Sequence, residues 1–316
     1  MAPNYAVVGS GYMGGGIAQV LALSGARVAI ADSSAEVALA SCERLVNESK
    51  EFVAEGLFPP GSTEVIQGNI RAARSVRDAV ADASFVEEAV PEVVETKNEV
   101  LAEISQAAPA GAVIATNTST ISIAKLAKAV NNPERFLGVH FSNPAPFIPG
   151  VELIPHSGTA PAVVARAEEI VTKAGKQGAR AGDVTGFVLN RLQYALFHEA
   201  TKLVEEGTAS AKDIDTIVRT TFGFRLPFFG PFAVADMAGL DVYAFCYKSL
   251  QTKFHERFAT PRILAELVEA GKLGTKSGGG FLDTPANKAN DLVAYRNKAY
   301  VAMKKLVDEL GPAPIG

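Results

Sequence analysis

"YAVVGSGYMGGGIAQVLAL", residues 5–23, decides the fold. A short β-branched run reaches Gly9, and a helix-like segment runs over 14–24. Gly9-Ser10-Gly11-Tyr12-Met13-Gly14 fits G-x-G-x-x-G at a strand-to-helix turn, the context that gives this pattern meaning. Gly9 permits the tight turn, Gly11 lets backbone approach a pyrophosphate, and Gly14 lets helix and strand pack closely. The helix start supplies N–H groups and a positive dipole end for phosphates. Gly9, Gly11, Tyr12, Met13 and Gly14 are therefore the first candidate cofactor contacts. Asp32 ends the next apolar run, 18 residues after Gly14. A carboxylate there accepts bonds from both ribose hydroxyls and repels a 2′-phosphate. Ser33 and Ser34 follow with no Arg beside them, so NAD is expected rather than NADP.

Further strand-like runs lie at 26–32, 83–90, 111–117, 136–141 and 151–155. The stretches after the first four runs, counting 5–11, have helical spacing. Such alternation predicts a parallel, doubly wound sheet. The last two runs are joined by a Pro-rich stretch too short for a crossover helix, which predicts an antiparallel addition at the sheet edge. From 185 onward strand signals nearly vanish, and helical spacing recurs at 185–207, 210–221, 232–251, 259–270 and 287–309. The expected architecture is α/β: a Rossmann domain with a mostly parallel sheet over 1–184, then an all-helical substrate and dimerisation domain over 185–316. "AGDVTG" (181–186) reads as the hinge, and the Ala-rich stretches 72–83 and 158–166 as helix.

The chain has 316 residues, 48% of them hydrophobic, enough for a sizeable core. A net charge of −4 gives no general attraction to nucleic acid or anionic lipid. Cys42 and Cys246 have no metal or redox spacing and read as reduced core thiols; no metal site is expected. No apolar run approaches the roughly 20 residues of a membrane helix. The chain opens directly on a strand pattern, so no signal peptide is expected, and the reading is a cytoplasmic protein.

A nicotinamide cofactor carries hydride, and the protein must manage the proton. "GVHFSNPAPFIPGVELIP" (138–155) sets His140 and Glu152 on the two arms of an expected hairpin. Histidine titrates near neutrality and suits a general base. A carboxylate on its second nitrogen fixes the tautomer and stabilises the imidazolium. Same-face side chains on paired strands approach within about 5 Å at Cβ. His156, His198 and His255 lack such a setting and read as structural or solvated.

Taken together these motifs resemble the 3-hydroxyacyl-CoA dehydrogenase superfamily along nearly the whole chain. "TNTST" (116–120), "HFSNPAP" (140–146), "TGFVLNRL" (185–192), "GPFAVADMAGLD" (230–241) and "GTKSGGGF" (274–281) resemble the hydroxyacyl-CoA branch. "FIPGVELIPH" with "TAP" (147–161), "FVLNRLQYA" (187–195), "EATKLVEEGTAS" (199–210) and "GFRLPFFGP" (223–231) look more like the lambda-crystallin / L-gulonate 3-dehydrogenase branch. The resemblance implies His140 as base, Glu152 as its orienting partner, and Ser119 and Asn190 as groups bonding the substrate oxygen. It also implies cofactor contacts at Glu92, Lys97, Asn143 and Lys276, and a homodimer formed through the helical domain.

Two substrate classes stay open, a small free 3-hydroxy acid being placed first and a 3-hydroxyacyl-CoA second. "ESKEFVAEGLFPPGSTEV" (48–65), where CoA phosphates call for basic residues, holds one Lys and several acids. Arg225 matches an Arg of the gulonate and carnitine relatives, and a guanidinium holds a carboxylate bidentately. "ADMAGLD" and "GTKSGGGF" pull toward the thioester. A crystallin-like structural role is a third alternative, but His140, Glu152 and Asn190 are all present.

Overall fold

Tyr5, Ala6, Val7 and Val8 are all buried, and a strand buried on both faces belongs inside a parallel sheet. In the computed structural model, which describes residues 2–282 and 284–311, they lie in β1 (Asn4–Val8). The sheet continues with β2 (Arg27–Ala31), β3 (Ile70–Ala72), β4 (Phe85–Glu88), β5 (Val113–Thr116), β6 (Phe136–Phe141), β7 (Gly150–Pro155) and β8 (Gln177–Arg180). Its order is β3-β2-β1-β4-β5-β6-β7-β8, parallel throughout except for the β6/β7 pair. The order reverses beside β1, between β2 and β4, where open α/β sheets bind ligands beyond their strand ends.

The helices of this part are α1 (Tyr12–Leu23), α2 (Ala35–Ala54), α3 (Ser62–Asn69), α4 (Val76–Val80), α5 (Val94–Ala107), α6 (Ile123–Leu126) and α7 (Pro161–Lys173). They cover both sheet faces. Ile17 and Leu21 of α1 and Ala167 and Ile170 of α7 pack with Val7, Phe85 and Leu153. Leu101 and Ile104 of α5 pack with Ala6, Val86 and Ile114 on the other face. Among the buried charged residues, one has no compensating bond. Glu87, in β4, is fully buried, and neither carboxyl oxygen has a hydrogen-bond partner among the described residues. Burial, then the neighbouring charge of Glu88, push its pKa well above the usual carboxylate range.

The second part holds α8 (Leu189–Glu205), α9 (Ala211–Thr220), α10 (Phe222–Arg225), α11 (Pro231–Ala238), α12 (Leu240–Phe254), α13 (Arg262–Glu269) and α14 (Ala289–Leu310). Among the described residues its only β feature is an isolated Gly274–Gly279 bridge. The α/β-plus-helical architecture is as expected. One compact unit runs over Met1–Phe197 and a second begins at His198, inside α8. In the helical unit, buried Asp236 accepts the amides of Phe281 and Leu282 at 2.9 and 2.7 Å. A Cβ on Gly274 or Gly280 would strike Asp236, at 2.1 and 2.3 Å, so "GTKSGGGF" is glycine-rich because it wraps this residue.

Four details depart from expectation. β8 lies outside β7, so β7 is interior rather than the edge; "QGAR" is too polar to read as a strand. β3 occupies the start of the Ala-rich stretch, and helix begins only at Val76. Gly239, at φ +102°, splits the helix expected over 232–251. Cys246 is exposed and Cys42 half-buried, so neither is a core thiol, though both are free.

Candidate active site

The glycine turn separates two roles. Gly9 has φ +95°, and a Cβ there would lie 2.6 Å from the Ala89 backbone. A Cβ on Gly14 would lie 1.8 Å from the Gly9 carbonyl oxygen. These two glycines are demanded by the protein's own packing. At Gly11 a Cβ would meet nothing within 4 Å, which leaves that side of the turn open to a ligand. Gly11 caps α1 without a side-chain bond, so the first-turn amides remain for phosphates. Tyr12 is exposed and Met13 half-buried at the same helix start.

Asp32 is braced from this turn. Its carboxylate accepts the Ser10 amide at 2.7 Å, the Ser10 hydroxyl, and the Ser33 amide at 2.7 Å. Burial alone would raise its pKa, but these bonds hold it below the ordinary value, so it is ionised at neutral pH. Arg44 donates to the Ser10 carbonyl at 2.8 Å. A cavity of about 630 Å³ is lined by Gly9, Asp32, Ser34, Val90, Thr96 and Arg74. Arg74 corrects the expectation that no Arg stands near Asp32 and the two serines. It arrives from the segment after β3, far along the chain. An open turn, a helix start and an ionised carboxylate beside a cavity fit a dinucleotide.

His140 and Glu152 face each other in the β6/β7 register. His140 Nδ1 lies 2.8 Å from one Glu152 oxygen, and His140 is only 6% exposed. The other oxygen accepts the Val188 and Leu189 amides, each at 2.9 Å. Burial works to raise the Glu152 pKa, but the bonds from His140, Leu189 and Val188 bring it below the usual value. With Glu152 ionised, Nδ1 is the donor and Nε2 keeps its lone pair. The same helix start carries Asn190, whose Nδ2 donates to the Ser119 carbonyl at 3.0 Å. One circuit thus runs from His140 through Glu152 and α8 to Asn190 and Ser119. Phe187, fully buried at φ +46°, sets its ring 5.9 Å from the imidazole.

Glu92 and Lys97 serve the Ser119 turn from below. One Glu92 oxygen accepts the Thr118 hydroxyl at 2.6 Å and the Ser119 and Thr120 amides at 3.0 Å. Burial opposes ionisation of Glu92, but these bonds and the Lys97 charge lower its pKa. Lys97, expected at the cofactor, is instead 1% exposed. Its ammonium bonds Glu88 at 2.8 Å and the Val90 carbonyl at 3.1 Å, with Glu92 at 3.5 Å. Lys97 thus meets Glu92, which in turn holds the 118–120 turn. Asn143 is exposed on the turn after β6. In the helical unit, Lys276 pairs with Asp241 at 2.6 Å, and Arg225 lines a separate cavity.

Several bracing residues carry no motif. Lys176, from just before β8, donates to the carbonyls of Ala145, Pro146 and Ile148 at 2.6–3.0 Å and so holds the Pro-rich turn. Asp183 accepts the Ser122 hydroxyl and the Ile123 and Ala124 amides at 2.7–3.0 Å, tying the hinge segment to α6. Nothing local in the sequence marks either residue; their partners come from distant segments.

A Rossmann sheet with this turn, an ionised carboxylate at the end of β2 and a His–Glu pair fits a nicotinamide-dependent dehydrogenase. The sequence model for the 3-hydroxyacyl-CoA dehydrogenase NAD binding domain matches residues 4–184, and that for the C-terminal domain of the same family matches 186–284. The chain belongs to the 3-hydroxyacyl-CoA dehydrogenase family. It is 34% identical over 310 residues to the 5-formyl-3-hydroxy-2-methylpyridine 4-carboxylate 5-dehydrogenase of Mesorhizobium japonicum, covering 98% of this chain and 99% of that protein. It is 37% identical over 278 residues to a 3-hydroxybutyryl-CoA dehydrogenase of Mycobacterium tuberculosis, covering 87% and 96%. The crystal structure of a 3-hydroxyacyl-CoA dehydrogenase from Archaeoglobus fulgidus matches with a TM-score of 0.78 at 31% identity, over 98% and 99% of the two chains.

Proposed function

We propose that the chain oxidises the 3-hydroxyl of an L-3-hydroxyacyl-CoA to the ketone, reversibly and with NAD. The observation that carries this is the His140–Glu152 pair joined to Asn190 and Ser119 through one helix start. NAD, when bound, takes the hydride from C3. His140 takes the hydroxyl proton at Nε2, the nitrogen left free once Nδ1 is committed to Glu152. Glu152 fixes the tautomer and offsets the imidazolium charge. The Ser119 hydroxyl and the second N–H of the Asn190 amide bond the substrate oxygen, where charge develops in the reverse direction. Asp32 holds the ribose, Gly11 and its neighbours the pyrophosphate, and Glu92 and Asn143 border the nicotinamide half. Lys276 is assigned to the cofactor by resemblance alone.

The thioester now stands ahead of the free acid because both matched family models and the M. tuberculosis relative carry that description. A free 3-hydroxy acid is the second reading. It is favoured by Arg225 in a cavity without acidic residues, and by a relative named for a carboxylate. We also assign a homodimer in the cytoplasm. Leu192, Tyr194, Leu196 and Phe197 expose an apolar surface on one helix, which suits a partner copy. Two free thiols suit a reducing compartment.

The test is NADH formation at 340 nm, run in parallel with L-3-hydroxybutyryl-CoA and longer thioesters and with free 3-hydroxybutyrate, L-carnitine and L-gulonate. Turnover of thioesters is expected. Turnover confined to free acids would replace the thioester with the second reading.

A further inference from the structure

Arg74 stands level with Asp32 because the β2/β3 register puts it there. The two strands are parallel, with Ile30 opposite Ala72. The ladder runs one bond further, the Ala73 amide donating to the Ile30 carbonyl at 2.8 Å. Two residues past the Ile30/Ala72 pair stand Asp32 and Arg74, and neighbouring strands lie about 5 Å apart. The chain then turns into α4, and the backbone at Arg74 is tied down. The Asp78 carboxylate accepts the Arg74 amide at 2.8 Å, while the Asp78 amide donates to Ser75, the N-cap of α4, at 3.1 Å. The same carboxylate accepts the Arg71 guanidinium at 3.2 Å. Arg74 is exposed, and among the described residues it enters hydrogen bonds with partners outside its own helix only through its amide.

Among the residues lining the cavity of about 630 Å³, Arg74 is the one cation, and Asp32 and Glu103 are the acids. Val76, Val90, Pro91 and Val100 give it apolar walls that suit a flat base. A guanidinium is attracted to the face of such a base. The same planar fork is the best match among side chains for a phosphate. Ser33 and Ser34 line the cavity too and can donate to an anion. Against these three donors stands the Asp32 carboxylate, which accepts ribose hydroxyls and repels a 2′-phosphate.

We infer that Arg74 is a second determinant of cofactor choice: it covers the adenosine end of NAD, and the Asp32 charge withholds it from a 2′-phosphate. Neutralising Asp32 therefore turns the cavity toward NADP with no arginine added. This rests on the dinucleotide reading of the cavity and on residues of the first unit only.

The full-length protein and its variants are titrated calorimetrically with NAD, NADP and ADP-ribose. The native chain should prefer NAD. Arg74→Ala should weaken NAD and ADP-ribose alike, by about two- to fivefold. Asp32→Ser should strengthen NADP by at least about tenfold, and adding Arg74→Ala should remove that gain. Arg74→Lys in the same background, which keeps the charge without the fork, should retain part of it. Equal melting temperatures exclude misfolding. Where Asp32→Ser melts low, Asp32→Asn takes its place, since it keeps an oxygen for the Ser10 amide. An NADP gain that survives Arg74→Ala overturns the inference, as does an Asp32→Ser chain that binds NADP no better than the native one. So does an Arg74→Ala change that weakens NAD and NADP equally in the Asp32→Ser background, which would make Arg74 a structural residue. A native chain that binds neither NAD nor NADP removes the dinucleotide reading itself, and the inference with it.

Discussion

His140 has one ring nitrogen committed to Glu152 and the other free among the described residues, and that asymmetry supports the base role proposed for it. His140→Ala should lower kcat by about 10²–10⁴-fold, the usual share of general acid–base catalysis, and leave NAD affinity within about twofold. Rapid-quench kinetics beside NAD titration checks both parts. Glu87 makes a different prediction. Its pKa is raised in the fold, so its protonated form stabilises the protein fully below the unfolded value of about 4.3. That contribution is lost as pH rises toward the folded value. Glu87→Gln removes the titration. The melting temperature of the variant should therefore gain on that of the native chain as pH rises above about 4.3. Parallel melting curves would sink the assignment.

At the scale of elements, the start of α8 is the critical joint. Glu152 divides its two oxygens between the imidazole and the Val188 and Leu189 amides, so β7 holds the helix that carries Asn190. Glu152→Ala should cost about 1–3 kcal/mol, from two orphaned amides, and lower kcat more than Glu152→Gln does. Denaturant unfolding with steady-state kinetics measures the two effects. Because the Glu152 pKa is depressed, its stabilising contribution is present above about pH 4.3 and lost as pH falls through the folded value. This joint was half legible in the sequence. The strands of "FLGVHF" and "VELIP" are strongly apolar, so the hairpin and the His–Glu pairing followed from pattern alone. The amides of Val188 and Leu189 carry no side-chain signature, so their bond to Glu152 did not. The same reason hid β8: "QGAR" joins the sheet through its backbone, with one residue half-buried and three exposed.

Across the whole molecule, the helical architecture was readable because 3.6-residue periodicity survives in amphipathic helices, whereas Arg74 and Lys176 reach their places only through tertiary folding. Many large apolar side chains of the helical unit remain exposed in one chain, among them Phe245, Val301 and Leu310. Light scattering behind size exclusion should therefore report a dimer at micromolar concentration, and a monomer would remove the homodimer from the proposal. The position of β1 bears on how the protein is made. It is made before every other strand of the sheet, yet it lies within the sheet, and its register with β4 pairs Tyr5 with Phe85 and Val8 with Glu88. Translation takes roughly four to sixteen seconds to cover that separation at 5–20 residues per second. For that interval the nascent chain carries one apolar strand edge with no neighbour. The strand order thus leaves that edge open to mispairing until β4 has been made.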